Sequence, residues 1–275
     1  MNIFHSLILG VVEGLTEFLP ISSTAHLIVI GDWLRVPATD FVKTFEISIQ
    51  LGAILAVIVL FWKRIWKSWN LIGKISAAFI PTAIIGLAFY KIVKTFLMND
   101  IAVIASALLL GGIILILFEK YYSKKYGNLN KLEAEKSEND HKPEELSAIS
   151  YSQAVKIGVF QSLAIIPGVS RAGATIIGGL SLGVKRSDIV EFSFLLAIPT
   201  MIAATGLDLY KSRSTLILLD GHQILVWLIG FVVSFITAII GVRFFIHYIQ
   251  KNNFIPFGWY RIVFSIIIFA WLFVR

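Results

Sequence analysis

Cysteine is absent from the 275 residues. That excludes disulfides, a thiol nucleophile and thiolate metal sites, and it leaves the redox compartment unreadable. Charge is scarce as well: 15% of the residues are charged, against ~25% in an ordinary soluble domain. A secretory leader is not expected, because the first residues lack a basic stretch and Glu13 and Glu17 interrupt what would be its apolar core. The N-terminal segment is expected to belong to the working protein.

What remains is apolar. Hydrophobic residues make up 57% of the chain, 21 of them phenylalanine, and mean hydropathy is +0.83, which places the chain among all-α integral membrane proteins. Apolar runs of spanning length, ~20 residues each, begin near Phe45, Ile75, Ile101, Phe192, Gln223 and Phe254. Two further apolar stretches, 3–34 and 153–184, are broken by proline and polar clusters. The net charge of +7 comes from basic residues flanking the runs, where they anchor and orient spans; no nucleic-acid partner is expected. His5, His141, His222 and His247 stand alone and read as solvent-facing or interfacial.

Residues 119–146, EKYYSKKYGNLNKLEAEKSENDHKPEEL, hold seven of the 17 acidic residues and almost no large aliphatics. They read as an extramembrane linker, 119–150 with its margins, between a first repeat at 1–118 and a second at 151–275. The halves resemble each other. LGVVEGLTEFLPISST matches IGVFQSLAIIPGVSRA, with Glu13 opposite Gln161; FEISIQL matches VEFSFLL; and TAIIG occurs at 82–86 and 237–241. Each half then holds one interrupted segment and three spans. An odd number of spans predicts an inverted-topology repeat of two re-entrant hairpins and six transmembrane helices. Lys63, Arg64, Lys67, Lys185 and Arg186 share one face with the linker, which the positive-inside rule makes cytoplasmic; Arg35, Lys91, Lys94 and Lys211 fall on the other.

A straight helix over 4–34 would be ~45 Å long and would bury two carboxylates, a proline and a histidine in hydrocarbon. A hairpin that breaks near Pro20 and returns avoids this, because polar backbone at mid-depth is tolerated where it lines a cavity. Glu13 and Glu17, four apart, share a helical face. Ser22, Ser23 and Thr24 stand where a second half-helix can start, a position suited to capping and to binding phosphate. His26 lies within reach of Ser22 or Ser23, the minimum for an activated hydroxyl. In the second hairpin Pro167 and Gly168 break the chain and Ser170 is placed to cap a helix starting at Arg171, whose fork suits phosphate oxygens. Glu13, Glu17, Ser22, Ser23, His26, Ser170 and Arg171 are therefore the candidate site.

EGLTEFLPISSTAH at 13–26, FEISIQLGAILAV at 45–57 and PGVSRAGAT at 167–175 resemble the motifs of the undecaprenyl-diphosphate phosphatase family, also called the bacitracin-resistance family, and the resemblance runs the full length. It implies removal of the terminal phosphate of a C55 polyprenyl diphosphate, in a bacterial plasma membrane, at a site open to the extracytoplasmic side, with a divalent cation, Mg²⁺ or Ca²⁺. Carried over by position, it makes Glu17, Ser23, His26 and Arg171 catalytic, Ser22, Thr24, Gly168, Ser170 and Thr175 substrate-binding, and Glu13 with Glu17 metal ligands. Two positions depart from the family: Ala25, commonly glycine, and Ala172, commonly serine, so no hydroxyl contact to phosphate can come from residue 172.

The expected chemistry is charge neutralisation and in-line positioning. Two routes stay open: attack by Ser23 with proton transfer at His26, or direct attack by water with Ser23 only positioning phosphate. The expected partners are the polyprenyl diphosphate and membrane lipids, with a homodimer open as the assembly. The rival class is a secondary transporter or lipid flippase, since broken helices in inverted repeats are a transporter design. Other phosphatase chemistries find no signature: no Ser-Gly-His motif and no GxxxxGK[ST] loop occurs.

Overall fold

A computed structural model describes residues 1–93, 97, 100–137 and 149–274, with backbone alone for 126–137 and for residue 215. Lys94, His141 and the linker beyond 137 lie outside the described residues. The described chain is helical: α1 (Ile3–Thr16), α2 (Ser23–Trp33), α3 (Asp40–Lys67), α4 (Trp69–Ile92), α5 (Ile101–Ser137), α6 (Tyr151–Ser162), a 3-10 turn at Leu163–Ile165, α7 (Arg171–Ser181), α8 (Arg186–Lys211), the short α9 (Arg213–Ile217), α10 (Gly221–Lys251) and α11 (Ile255–Val274).

Six of these, α3, α4, the Ile101–Lys125 part of α5, α8, α10 and α11, are long and apolar enough to cross a membrane. They are the six runs read from hydropathy, with starts shifted by up to six residues because caps rather than apolar content set the first turn: Thr39 accepts from the Val42 amide ahead of α3, and Ser68 from the Leu71 amide ahead of α4. The chain is an all-α polytopic membrane protein.

The polar stretch after residue 118 behaves differently from a solvated linker at its start. Helix α5 continues through it to Ser137, and Glu119 is fully buried, bridging to both Nη atoms of Arg186 on α8 at 3.1 and 2.6 Å. The apolar pattern stops at Phe118 because a bidentate ion pair takes over the packing there.

The two halves pack reciprocally: α1 lies on α10, and α6 lies on α4. Hydrocarbon offers no hydrophobic drive between helices, so close approach of small residues does the work. A Cβ at Gly10 would sit 2.8 Å from the Gly230 carbonyl oxygen, and one at Gly158 would collide with the carbonyl of Ala78. Each contact carries the same hydrogen bond. Thr237 donates to the Gly10 carbonyl (3.3 Å), and Thr82 donates to the Gly158 carbonyl (2.8 Å). Gly10 aligns with Gly158 and Thr82 with Thr237 in the matched stretches of sequence, so the likeness between the halves reaches individual hydrogen bonds.

Candidate active site

Both hairpins turn on a serine in the left-handed region. Ser22 (φ 70) precedes α2 and Ser170 (φ 74) precedes α7, a conformation costing ~1–2 kcal/mol for a residue with a Cβ. Such strain persists only where the surroundings over-determine it. Ser170 behaves as the spacing predicts, its hydroxyl accepting from the Gly173 amide at 3.2 Å. Ser22 does not: its side chain makes no cap bond. The start of α2 is left without a side-chain cap beside the candidate nucleophile. At the second tip Gly168 takes φ 95, and a Cβ there would come 2.5 Å from the Ile104 carbonyl oxygen.

Three residues from the two hairpins meet directly. The Ser23 hydroxyl donates to Oε2 of Glu17 in a short hydrogen bond, and Arg171 donates from Nη2 to Oε1 of the same carboxylate at 3.0 Å. Arg171 sends its other Nη to the Ser193 carbonyl at 3.0 Å and lies over the Phe18 ring at 5.7 Å. Thr175 is fully buried and does not line the cavity; it bonds Ser193 Oγ at 2.6 Å and the Arg171 carbonyl at 3.0 Å. Its place is behind the arginine, fixing the strand of contacts that aims it, and not at a substrate. The side chains of Glu17 and Arg171 are 9% and 10% exposed, so this pair works in a poorly solvated site where charge interactions are strong.

His26 differs from the sequence expectation. Its Nδ1 stands 2.7 Å from the Ser22 carbonyl and its Nε2 2.7 Å from the Tyr260 hydroxyl, with the ring stacked on Phe264. A carbonyl only accepts, so Nδ1 carries the proton and Nε2 of the neutral ring accepts from Tyr260. Neither nitrogen is directed to Ser23. The spacing predicts a contact with a serine hydroxyl; helix α2 instead turns the imidazole back onto the backbone of the strained serine and toward α11. Beside the Ser23 hydroxyl the proton acceptor is Glu17.

These groups form the polar end of a cavity of about 620 Å³ lined by Glu17, Ser22, Ser23, Thr24, Gly168, Ser170 and Arg171. Its walls are mostly apolar, from Phe79, Ala83 and Leu87 on α4 to Ile165, Met201 and Leu207, with Gln50, Thr82, Gln161 and Thr200 among them, and Tyr90 and Asp208, joined by a 2.7 Å hydrogen bond, stand at the far end. Such a shape suits an amphiphile with an anionic head.

Glu13 lies one turn behind Glu17, fully buried, with neither carboxylate oxygen hydrogen-bonded. Two orphaned oxygens next to a second carboxylate fit a hard cation. No group of three or more His, Asp or Glu side chains gathers among the described residues, so a cation held here would draw its remaining ligands from substrate oxygens or water.

Sequence reasoning missed Arg261 and Tyr260 on α11. Arg261 is 1% exposed and donates to five backbone carbonyls, those of Pro20, Gly168 and Val169 in the hairpin tips and of Ala107 and Leu108 on α5. A lone arginine inside the last apolar run was the available signal. It sits in an otherwise unbroken apolar span with no neighbouring motif to mark its role.

The sequence model of the bacitracin resistance protein BacA family matches residues 6–267. Among curated relatives, the undecaprenyl-diphosphatase of Wolinella succinogenes is 47% identical over 272 residues, covering 99% of each chain. Those of a Sulfurihydrogenibium species and of Aquifex aeolicus are each 46% identical, covering 98% and 97% of this chain and 100% and 97% of their own. With a match of that extent, joining both hairpins and all six spans, the chain belongs to the bacitracin resistance protein BacA family.

Proposed function

We propose that this chain is an integral membrane phosphatase that hydrolyses undecaprenyl diphosphate to undecaprenyl phosphate and inorganic phosphate, the activity for which its relatives are named. The observation that carries the mechanism is the Ser23 hydroxyl on one oxygen of Glu17 with Arg171 on the other, at the polar end of an apolar cavity.

In the first step Ser23 Oγ bonds to the terminal phosphorus while its proton passes to Glu17, and the bond from that phosphorus to the bridging oxygen breaks. Polyprenyl monophosphate leaves. In the second step water bonds to phosphorus, the Ser23 Oγ–phosphorus bond breaks, and the serine recovers its proton from Glu17 as inorganic phosphate departs. An incoming diphosphate competes for the donors of Arg171, which weakens that residue's hold on Glu17 and leaves the carboxylate a better base. Arg171 then faces the charge that develops on the bridging oxygen. The uncapped start of α2 supplies amide groups for the terminal phosphate. Glu13 and Glu17 would hold a divalent cation, Mg²⁺ or Ca²⁺, which neutralises diphosphate charge when bound. His26 keeps Ser22, and with it the helix start, in its strained conformation.

The cavity's far end, at Tyr90 and Asp208, lies at the C-terminal ends of α4 and α8. Lys63, Arg64 and Lys67 end α3 just ahead of the start of α4, and Lys185 and Arg186 stand at the start of α8, so all five lie toward the opposite ends of those two helices. The positive-inside rule then opens the site to the extracytoplasmic side of a bacterial plasma membrane, with the halves inserted in opposite senses.

Purified protein in detergent tests this. Phosphate release from undecaprenyl diphosphate, lost in Glu17→Gln and Arg171→Ala, is expected; in micelles no compartments exist, so a transporter would release none. Quenched single turnovers with terminally labelled substrate should leave phosphate on Ser23. Absence of label together with activity in Ser23→Ala would assign the attack to water instead.

A further inference from the structure

We propose that Arg261 is a positioning residue for this reaction: it clamps the tips of the two hairpins to each other, and so sets the distance between Ser23 and Arg171. The inference rests on the phosphatase reading above. Arg261 spends all five N–H donors on backbone carbonyls. Nη1 reaches Pro20 of the first tip at 3.1 Å and Val169 of the second at 2.9 Å, and Nη2 reaches Gly168 at 2.9 Å and Ala107 of α5 at 3.2 Å. One nitrogen thus bridges the two turns directly, three residues ahead of the helix that begins with Ser23 and two ahead of the helix that begins with Arg171. Among the described residues no carboxylate pairs with this guanidinium.

A buried arginine whose bonds all go to neutral carbonyls is an expensive way to hold backbone together. A neutral donor would satisfy one or two of the same carbonyls, whereas only the planar fork reaches both tips and α5 together. The preceding residue completes the device: Tyr260 bonds His26, which holds the Ser22 carbonyl. Helix α11 thereby grips each hairpin from the side away from the cavity, without lining it. Its charge also stands behind the starts of α2 and α7, ends that are already positive. That arrangement costs least when an anion occupies the cavity.

Two variants of the full-length protein test this, Arg261→Lys and Gly111→Ala. The second leaves the arginine in place but sets a Cβ 2.7 Å from its Cζ, which must displace the fork. In each, kcat per folded molecule should fall about tenfold or more, since small misplacements of reacting groups cost that much. KM for undecaprenyl diphosphate should move far less, because the apolar cavity still holds the tail. Amide hydrogen exchange over residues 20–25 and 168–173 should quicken in both, a readout that needs no turnover. Wild-type exchange at the tips, or wild-type kcat in either folded variant, would overturn the clamp. If Arg261→Lys does not fold, the Gly111→Ala result decides alone. A wild-type protein that releases no phosphate while the variants still show faster tip exchange would leave the clamp standing and remove the phosphatase reading.

Discussion

The first and second hairpins share a backbone and divide the chemistry. Both break at a proline, both turn on a left-handed serine, and both send a half-helix of 11 residues into the protein. Yet the first carries the carboxylates and the candidate nucleophile, while the second carries the cation. At the repeat-related pair Glu13 and Gln161 the contrast is sharpest. Glu13 is buried with both oxygens unpartnered, whereas Gln161 sends its amide nitrogen to Thr82 at 3.0 Å and Thr200 at 2.9 Å. The two hairpins present matching strained turns, but the side chains at their tips differ, with the carboxylate on one and the guanidinium on the other. Charges of opposite sign on opposing tips are what a diphosphate site needs and what two identical tips cannot offer.

The comparison breaks hardest at the groups that do not repeat. Ser23→Ala should lower kcat by ~10³-fold or more if the serine is the nucleophile, and Arg171→Lys by ~10²-fold because an ammonium cannot span Glu17 and the Ser193 carbonyl together. Phosphate release at saturating substrate measures both. Equal, roughly tenfold effects at Ser23 and at Arg171, the residues that begin the two half-helices, would mean that the chemistry is not divided between the hairpins in this way.

Next in size is Gln161→Glu, which makes the second hairpin imitate the first. Thr82 and Thr200 each donate their own proton to a carbonyl, of Gly158 and Leu196 respectively, so both hydroxyl oxygens face Gln161 as acceptors. A carboxylate there would lose two donors and meet two lone pairs. The expected loss is about 1–3 kcal/mol of stability, read by denaturant titration in detergent, with no gain in turnover. A stable, more active variant would show that the site tolerates a second carboxylate and that the asymmetry is incidental.

How far these features could be read from the chain follows from which of them are local. The six spans, the hairpins, the cap at Ser170 and the site pair Glu17 and Arg171 rest on hydropathy, on proline and serine spacing and on the rarity of charge in apolar runs, all legible along the sequence. His26 was given the right neighbourhood and the wrong contact, because spacing fixes a helical face but not which backbone or side-chain atom the ring finds. Arg261 was missed because its partners are backbone carbonyls 92 to 241 positions away, and backbone atoms leave no trace in residue identity. Glu119 was read as solvated for a related reason: its partner Arg186 lies 67 positions on. Charge alone does not announce a buried pair.

A smaller test concerns the threonines that join the halves. Thr82 makes an interhelical bond of 2.8 Å and accepts from Gln161, while Thr237 reaches across at 3.3 Å and bonds its own helix at 2.8 Å. Thr82→Val should therefore cost about 1 kcal/mol and Thr237→Val clearly less, within the range of interhelical hydrogen bonds in membranes. Unfolding midpoints of the two variants give the difference directly. Equal losses would show that the two interfaces carry the same load despite their different geometry.

The smallest expected effect separates the strained serines themselves. Ser170 holds the Gly173 amide with its hydroxyl, and Ser22 holds no amide with its own. Replacing either by alanine keeps the left-handed strain, since a Cβ remains, so the difference between the variants isolates the cap. Ser170→Ala should lose about 1 kcal/mol and speed exchange of the Gly173 amide. Ser22→Ala should stay within about 0.5 kcal/mol of the wild type, because its hydroxyl makes no hydrogen bond to the helix start. If Ser22→Ala instead destabilises the protein as much as Ser170→Ala does, the start of α2 is capped like that of α7, and its amides are not free to meet phosphate.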